Sequence, residues 1–166
     1  MVRTGSHFSV VTYDESQTRA LGARIGRLAK PGMMLALIGD LGSGKTCFTR
    51  GLAEGLRMRD PGRFSSPSFT LMNQYDADLP VYHFDFYRLE SVAEILDLGF
   101  TDYLDGDGVV VVEWADKLED ELPEECMVVE FAFHRAGGDA RLIRLIDGSG
   151  VFSGIMEEVR RAYPGD

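Results

Sequence analysis

The chain has 166 residues, 45% of them hydrophobic, with a formal net charge of −10; this fits one domain over 1–166 and opposes a free-standing nucleic-acid binder, whose surface must be basic. No apolar run reaches the ~18 residues of a transmembrane helix, and residues 1–7 lack the apolar core of a signal peptide. Cys47 and Cys126 show no metal-ligand spacing, so they read as two reduced thiols of a cytoplasmic protein.

Residues 7–13 have β-type composition and predict a first strand. Asp14 follows as an N-cap with Gln17 as its capping-box partner. Leu21, Ile25 and Leu28 repeat at helical spacing, so a helix runs to about residue 30, where Pro31-Gly32 ends it. The apolar run 33–38 suits a buried strand. Next comes Gly39-Asp40-Leu41-Gly42-Ser43-Gly44-Lys45-Thr46, which matches Gly-x-x-x-x-Gly-Lys-Thr. Residues 47–56 can continue as a helix. A P-loop signature carries meaning in that strand–loop–helix setting. Glycines let backbone N–H groups close around phosphate oxygens, and the helix N-terminus adds partial positive charge. Lys45 supplies a full charge for the β- and γ-phosphates, and the Thr46 hydroxyl can ligate Mg²⁺.

Residues 59–68 read as a loop containing Ser65-Ser66-Pro67-Ser68. Strand-like stretches at 69–75 and 81–88, separated by the turn 76–80, predict a hairpin. Ser91 caps a short helix to about Leu98, with Glu94 completing the capping box and Gly99 ending it. Val109-Val110-Val111-Val112 suits a strand buried on both faces. Residues 126–133 and 140–146 predict two more strands around Gly137-Gly138. Phe152, Ile155, Met156, Val159 and Tyr163 outline a terminal amphipathic helix.

A P-loop needs an acidic partner for Mg²⁺ or for the attacking water. Two acids end apolar strand patterns. Asp85 alternates with Phe84 and Phe86, sharing a face with His83 and Tyr87. Glu113 directly follows the valine run, at a carboxyl strand end where ligands of open α/β sheets bind. Trp114 could stack on a base or serve as a core or rim aromatic. Serine hydroxyls at 65–68 occupy the place of a switch loop, or of a plain polar turn. His83 reads as a hydrogen-bonded structural histidine more readily than as a base.

Taken together, these motifs resemble the bacterial TsaE (YjeE) family, the ATPase of tRNA threonylcarbamoyladenosine biosynthesis. The matching stretches are Thr18-Arg19-Ala20-Leu21-Gly22, the loop 39–46, Ser66-Pro67-Ser68-Phe69-Thr70-Leu71, His83-Phe84-Asp85-Phe86-Tyr87-Arg88-Leu89 and Glu113-Trp114. The resemblance implies an α/β P-loop NTPase domain with three layers, a central mixed sheet flanked by helices. It implies ATP and Mg²⁺ as cofactors, with Thr46 and Glu113 as the metal ligands and Asp85 and Lys45 serving hydrolysis. The nucleotide would be held by Thr18, Asp40, Leu41, Gly42, Ser43, Gly44, Lys45, Thr46, Cys47, Trp114 and Arg141. The implied partner is a two-protein threonylcarbamoyl-transferase complex of TsaB and TsaD type, with tRNA reached only through it. Hydrolysis would be weak without partners. The family's Ser-Pro-Thr is Ser66-Pro67-Ser68 here, which keeps the hydroxyl and loses a methyl.

Two other classes stay open. A small-molecule kinase would need an acceptor pocket and usually an Arg-rich lid, and no such lid segment is visible. A nucleotide-gated binding module would use occupancy rather than turnover. A small GTPase is excluded, because no Asn-Lys-x-Asp guanine-reading motif occurs.

Overall fold

The computed structural model describes residues 5–164; residues 1–4, part of the stretch read above for a leader, lie outside it. Seven strands form one sheet in the order β1-β7-β6-β2-β5-β4-β3. They are β1 (Ser6–Thr12), β2 (Met34–Gly39), β3 (Met72–Tyr75), β4 (Val81–Asp85), β5 (Val109–Glu113), β6 (Met127–Phe133) and β7 (Arg141–Asp147). The four central strands, β6, β2, β5 and β4, are parallel. The outer ones, β1, β7 and β3, join antiparallel. The sheet is therefore mixed, as expected.

Alternation along the central strands divides the core in two. Leu35, Leu37, Val109, Val111, Met127 and Val129 face α1 (Glu15–Leu28), α2 (Lys45–Gly55) and α4 (Ser153–Ala162). Met34, Ala36, Val110, Val112 and Val128 face the other way. All four residues of the run 109–112 are fully buried, as their unbroken β-branched character predicts. The second layer is thinner than a helical layer. Among the described residues it holds the short α3 (Val92–Asp97) and two 3-10 segments, Phe100–Tyr103 and Ala115–Glu121. The last of these has no periodic signal in the sequence.

Helix starts follow the caps. The Asp14 carboxylate accepts the Gln17 N–H at 2.8 Å. The Gln17 side chain, however, reaches past the cap to the Tyr13 N–H. Ser91 and Glu94 form the full reciprocal capping box. Buried Asp147 accepts the N–H groups of Gly150 and Phe152 at 2.9 Å each, tying the end of β7 to the start of α4.

Two strand predictions shorten. β3 starts at Met72 rather than at residue 69, because Leu71 turns left-handed (φ 66°) and closes a turn onto the Pro67 carbonyl. β4 ends at Asp85, whose own carboxylate accepts the Tyr87 N–H at 2.9 Å and bends the chain out of the sheet.

The P-loop helix is seated on α1 by glycine pairs spaced one turn apart on both partners. A Cβ on Gly51 would meet the Arg19 carbonyl oxygen at 1.9 Å. One on Gly22 would meet the Phe48 carbonyl oxygen at 2.1 Å; Gly26 and Gly55 are equally tight. Only helices without side chains at the crossing can approach this closely.

Candidate functional site

The site begins where β2 runs out of side chains. A Cβ on Gly39 would lie 2.7 Å from the Phe131 carbonyl oxygen, so this strand end is held against β6. Gly42 (φ 75°) and Gly44 (φ 106°) then adopt left-handed conformations that L side chains disfavour, and α2 starts directly at Lys45. This is two residues earlier than the composition suggested, and it brings Lys45 and Thr46 into the first turn. Leu41 stands 71% exposed at the loop's tip. Lys45 is buried instead. Its Nζ donates to the carbonyls of Gly39 (2.5 Å) and Asp40 (2.9 Å) and lies 4.3 Å above the Trp114 ring. Burial pushes its pKa below the ordinary lysine value, against the pull of Glu113 and Asp85.

Strand register delivers the acids. Leu37 of β2 pairs with Glu113 of β5, and Glu113 pairs with Asp85 of β4. The preceding residues, Val112 and Phe84, point into the thin layer. Glu113 and Asp85 therefore point toward α2 and the loop. Both are almost fully buried. The Thr46 hydroxyl donates to the Glu113 carboxylate at 2.9 and 3.1 Å. Asp85 accepts the Ser68 hydroxyl at 3.2 Å. Thr46 and Glu113 thus converge hard oxygen donors beside the loop 39–46, a donor set that fits Mg²⁺, which also retains waters and takes phosphate oxygens. The two metal-site residues named from the sequence are brought together, and Asp85 stands next to them.

His83 has a hydrogen-bond partner at each ring nitrogen. Its Nε2 lies 2.8 Å from Glu113 Oε1, and its Nδ1 lies 3.1 Å from the Tyr75 hydroxyl. Tyr75 was not singled out from the sequence. The hairpin could have shown it: a five-residue turn places Tyr75 opposite Val81, so His83 is its diagonal neighbour.

Trp114 takes a left-handed backbone conformation (φ 59°), rare for a bulky residue. That turn folds its ring back over Lys45 and beside Tyr87, 5.0 Å between ring centres. Arg141 crosses from the start of β7 to the outside of the loop. It donates to the Ser43 carbonyl at 3.2 Å and the Gly42 carbonyl at 3.0 Å, with its plane 4.7 Å from the Phe133 ring. In a trans peptide C=O and N–H point oppositely. Holding these carbonyls therefore turns the Ser43 and Gly44 N–H groups away from Arg141.

Thr18 sits behind the loop. Its hydroxyl is paired with that of Thr12 at 2.7 Å and its methyl packs toward Gly44. Cys47 is partly buried and donates to the Glu15 carbonyl; burial, then the Glu15 charge, pushes the thiol's pKa up, so it stays protonated. The loop mouth is lined by Glu15, Ser66, Ser68, Tyr87 and Arg88 besides the residues above. It continues into a larger groove of about 930 Å³ bounded by α1, α2 and the loop 64–66, reaching Asp14, Arg50 and Asp139.

A family model described as "Threonylcarbamoyl adenosine biosynthesis protein TsaE" matches residues 12–142. The tRNA threonylcarbamoyladenosine biosynthesis protein TsaE of Bacillus subtilis is 41% identical over 151 residues, covering 90% of this chain and 92% of that protein. The protein of the same name from Treponema pallidum is 39% identical over 119 residues, covering 72% and 87%. The crystal structure of Bacillus subtilis YdiB superposes with a TM-score of 0.77 at 34% identity, over 97% of this chain and 99% of that one. Every residue gathered at the site, from Thr18 to Arg141, falls inside the matched span, and the chain belongs to the TsaE family.

Proposed function

We propose that this chain is a Mg²⁺-dependent P-loop ATPase that serves tRNA N6-threonylcarbamoyladenosine formation, its hydrolysis supporting turnover of a two-protein transferase complex of TsaB and TsaD type. The observation that carries this is the convergence of the loop 39–46, Glu113 and Asp85 at the carboxyl ends of three adjacent parallel strands. That convergence supports reading the chain as a P-loop NTPase that takes a nucleoside triphosphate with a divalent metal, and the family resemblance supports ATP as the nucleotide. The names of the relatives, proteins of tRNA threonylcarbamoyladenosine biosynthesis, supply the pathway. Tyr87, Trp114 and Leu41 rim the mouth, and a partner there would exclude water and complete a site that works slowly alone. No helix among the described residues is long and apolar enough to cross a membrane; a part in tRNA modification would place the chain in the cytoplasm.

In this mechanism the loop amides and Lys45 Nζ hold the phosphates. Thr46 Oγ1 and Glu113 would hold Mg²⁺, which when bound neutralises charge on the β- and γ-phosphate oxygens. Asp85 offers its carboxylate to orient an attacking water. The groove beyond Cys47 has room for the nucleoside.

The test is ATP hydrolysis by the full chain with and without the transferase pair, alongside Asp85→Ala. Stimulation of the wild type is expected. The variant should bind ATP within about threefold of wild type and lose stimulated hydrolysis by ~10²-fold or more. An Asp85→Ala protein that keeps stimulated turnover would remove Asp85 from the chemistry. Phosphate transfer to a small acceptor far faster than hydrolysis would favour a kinase.

Arg141 yields a second expectation. Arg141→Gln removes the fork that holds two loop carbonyls and should weaken ATP binding by about 1–2 kcal/mol, roughly 5- to 30-fold. Lysine cannot restore the fork, so Arg141→Lys should not recover wild-type affinity in a direct titration. Unchanged affinity in both variants would mean the loop holds its shape without Arg141.

A further inference from the structure

The loop carrying residues 64–68 is fastened to both acids of the site, by two separate routes. At its far end Ser68 donates to Asp85 at 3.2 Å and lies 2.8 Å from the Ser66 hydroxyl. At its near end Tyr75 donates its hydroxyl hydrogen to the Ser65 carbonyl at 2.6 Å. The same hydroxyl lies 3.1 Å from His83 Nδ1, a contact whose direction the imidazole tautomer sets. His83 Nε2 continues the chain to Glu113 Oε1, and Glu113 accepts from Thr46. Phe64 closes the arrangement. Its ring stacks on His83 (5.8 Å, 19°) and packs against Tyr75 (5.0 Å). His83 is fully buried and Tyr75 nearly so. The middle of the chain, between Tyr75 and Glu113, is thereby shut off from solvent.

We infer that Tyr75 and His83 are positioning residues that couple the seat of the loop 64–68 to the orientation of the metal-binding carboxylate of Glu113. The inference rests on the magnesium–nucleotide site proposed above. A loop seated on Tyr75 and Phe64 holds His83, and His83 holds Glu113 toward Thr46. Coupling is reciprocal: if the seated loop favours the metal-binding orientation, metal binding favours the seated loop to the same extent. The Ser68–Asp85 contact extends the consequence to the second acid. A partner that pressed on the exposed Phe69 next in the chain (81% exposed) would then act on both acids at once.

A purely structural role for Tyr75 would come from its ring, whereas the coupling comes from its hydroxyl; Tyr75→Phe separates the two. ATP binding by the full chain is read from the fluorescence of Trp114, the sole tryptophan, once with Mg²⁺ and once with EDTA. Hydrogen exchange of residues 64–71 is followed under the same conditions. In the wild type Mg²⁺–ATP should slow exchange in 64–71, and ATP with EDTA should not. In Tyr75→Phe the affinity in EDTA should stay within about twofold, the tightening by Mg²⁺ should shrink by roughly tenfold, the low end of what a metal ligand loses with its outer support, here His83 released by Tyr75, and the protection of 64–71 should vanish. A variant that keeps the wild-type Mg²⁺ effect and the protection overturns the coupling. So does a wild type that binds Mg²⁺–ATP with no change in 64–71, a measurement that does not depend on the variant's folding. A wild type that binds no ATP under either condition overturns the nucleotide site itself and the coupling with it.

Discussion

Lys45→Ala should weaken ATP binding by about 2–4 kcal/mol, roughly 30- to 1,000-fold, while leaving the fold as stable as before. The two halves of this expectation have one origin. Lys45 is buried, and its pKa lies below the ordinary value because burial disfavours the ammonium. A lysine whose folded pKa is lowered costs stability wherever it is charged, and that cost fades as pH rises through the folded pKa. The Gly39 and Asp40 carbonyls, the Trp114 ring and the nearby Glu113 and Asp85 offset the cost. Phosphate oxygens would offset it better, with full charge at short range in a site sheltered from water. Alanine removes the charge and its burden together. Thermal unfolding should therefore move by no more than ~3 °C, about 1 kcal/mol for a chain this size. Nucleotide affinity within threefold of wild type would show that the ammonium does not meet the ligand.

The largest effect on stability should come from a residue with no side chain. Gly51→Ala places a methyl 1.9 Å from the Arg19 carbonyl oxygen, with the Arg19 carbonyl carbon at 2.8 Å and its Cα at 3.0 Å. All three are backbone atoms, so no rotamer change relieves the clash. The helices must separate, and the seam between them holds Leu21, Ile25, Phe48 and Leu52, all fully buried. Alanine's better helix propensity returns about 1 kcal/mol, and the separation costs more. The net loss should be about 2–4 kcal/mol, a fall in Tm of roughly 5–15 °C. Gly154→Ala is the control. That glycine lies in α4 with nothing within 4 Å of an added Cβ. It should leave stability unchanged or raise it by up to ~1 kcal/mol. Equal Tm values for the two variants would mean that the α1–α2 seam is softer than its geometry states.

Much of the secondary structure was legible, for local reasons. The valine run could only be a strand buried on both faces, and Ser91 with Glu94 could only start a helix. Boundaries slipped where a side chain outvoted the pattern. The stretch 81–88 keeps its alternation past residue 85, yet Asp85 ends β4 by taking the Tyr87 N–H for its own carboxylate. The stretch 69–75 looks extended, yet Leu71 turns left-handed. At the site, Asp85 and Glu113 stood out because charges ending apolar strands are conspicuous. Tyr75 did not, because a tyrosine in a strand is ordinary until its hydroxyl is seen between Ser65 and His83. The glycines of α1 and α2 were equally quiet. Their spacing of four was visible, but only the crossing of two helices gives it meaning.

The cradle is encoded locally. Eight consecutive residues, 39–46, carry the glycines, the lysine and the hydroxyl, and local backbone rules suffice to curl them. Tertiary structure decided what the cradle faces. Thr46 and Glu113 lie 67 residues apart and meet because β5 pairs beside β2, with β4 beyond it. That order and its register follow from burying two apolar faces at once, a constraint no local stretch contains. The same constraint brought Arg141 onto the back of the loop and the Tyr75–His83 pair onto Glu113. The glycine-rich turn thereby becomes part of a site in which Thr46, Glu113, Asp85 and the neighbouring loop are joined by hydrogen bonds.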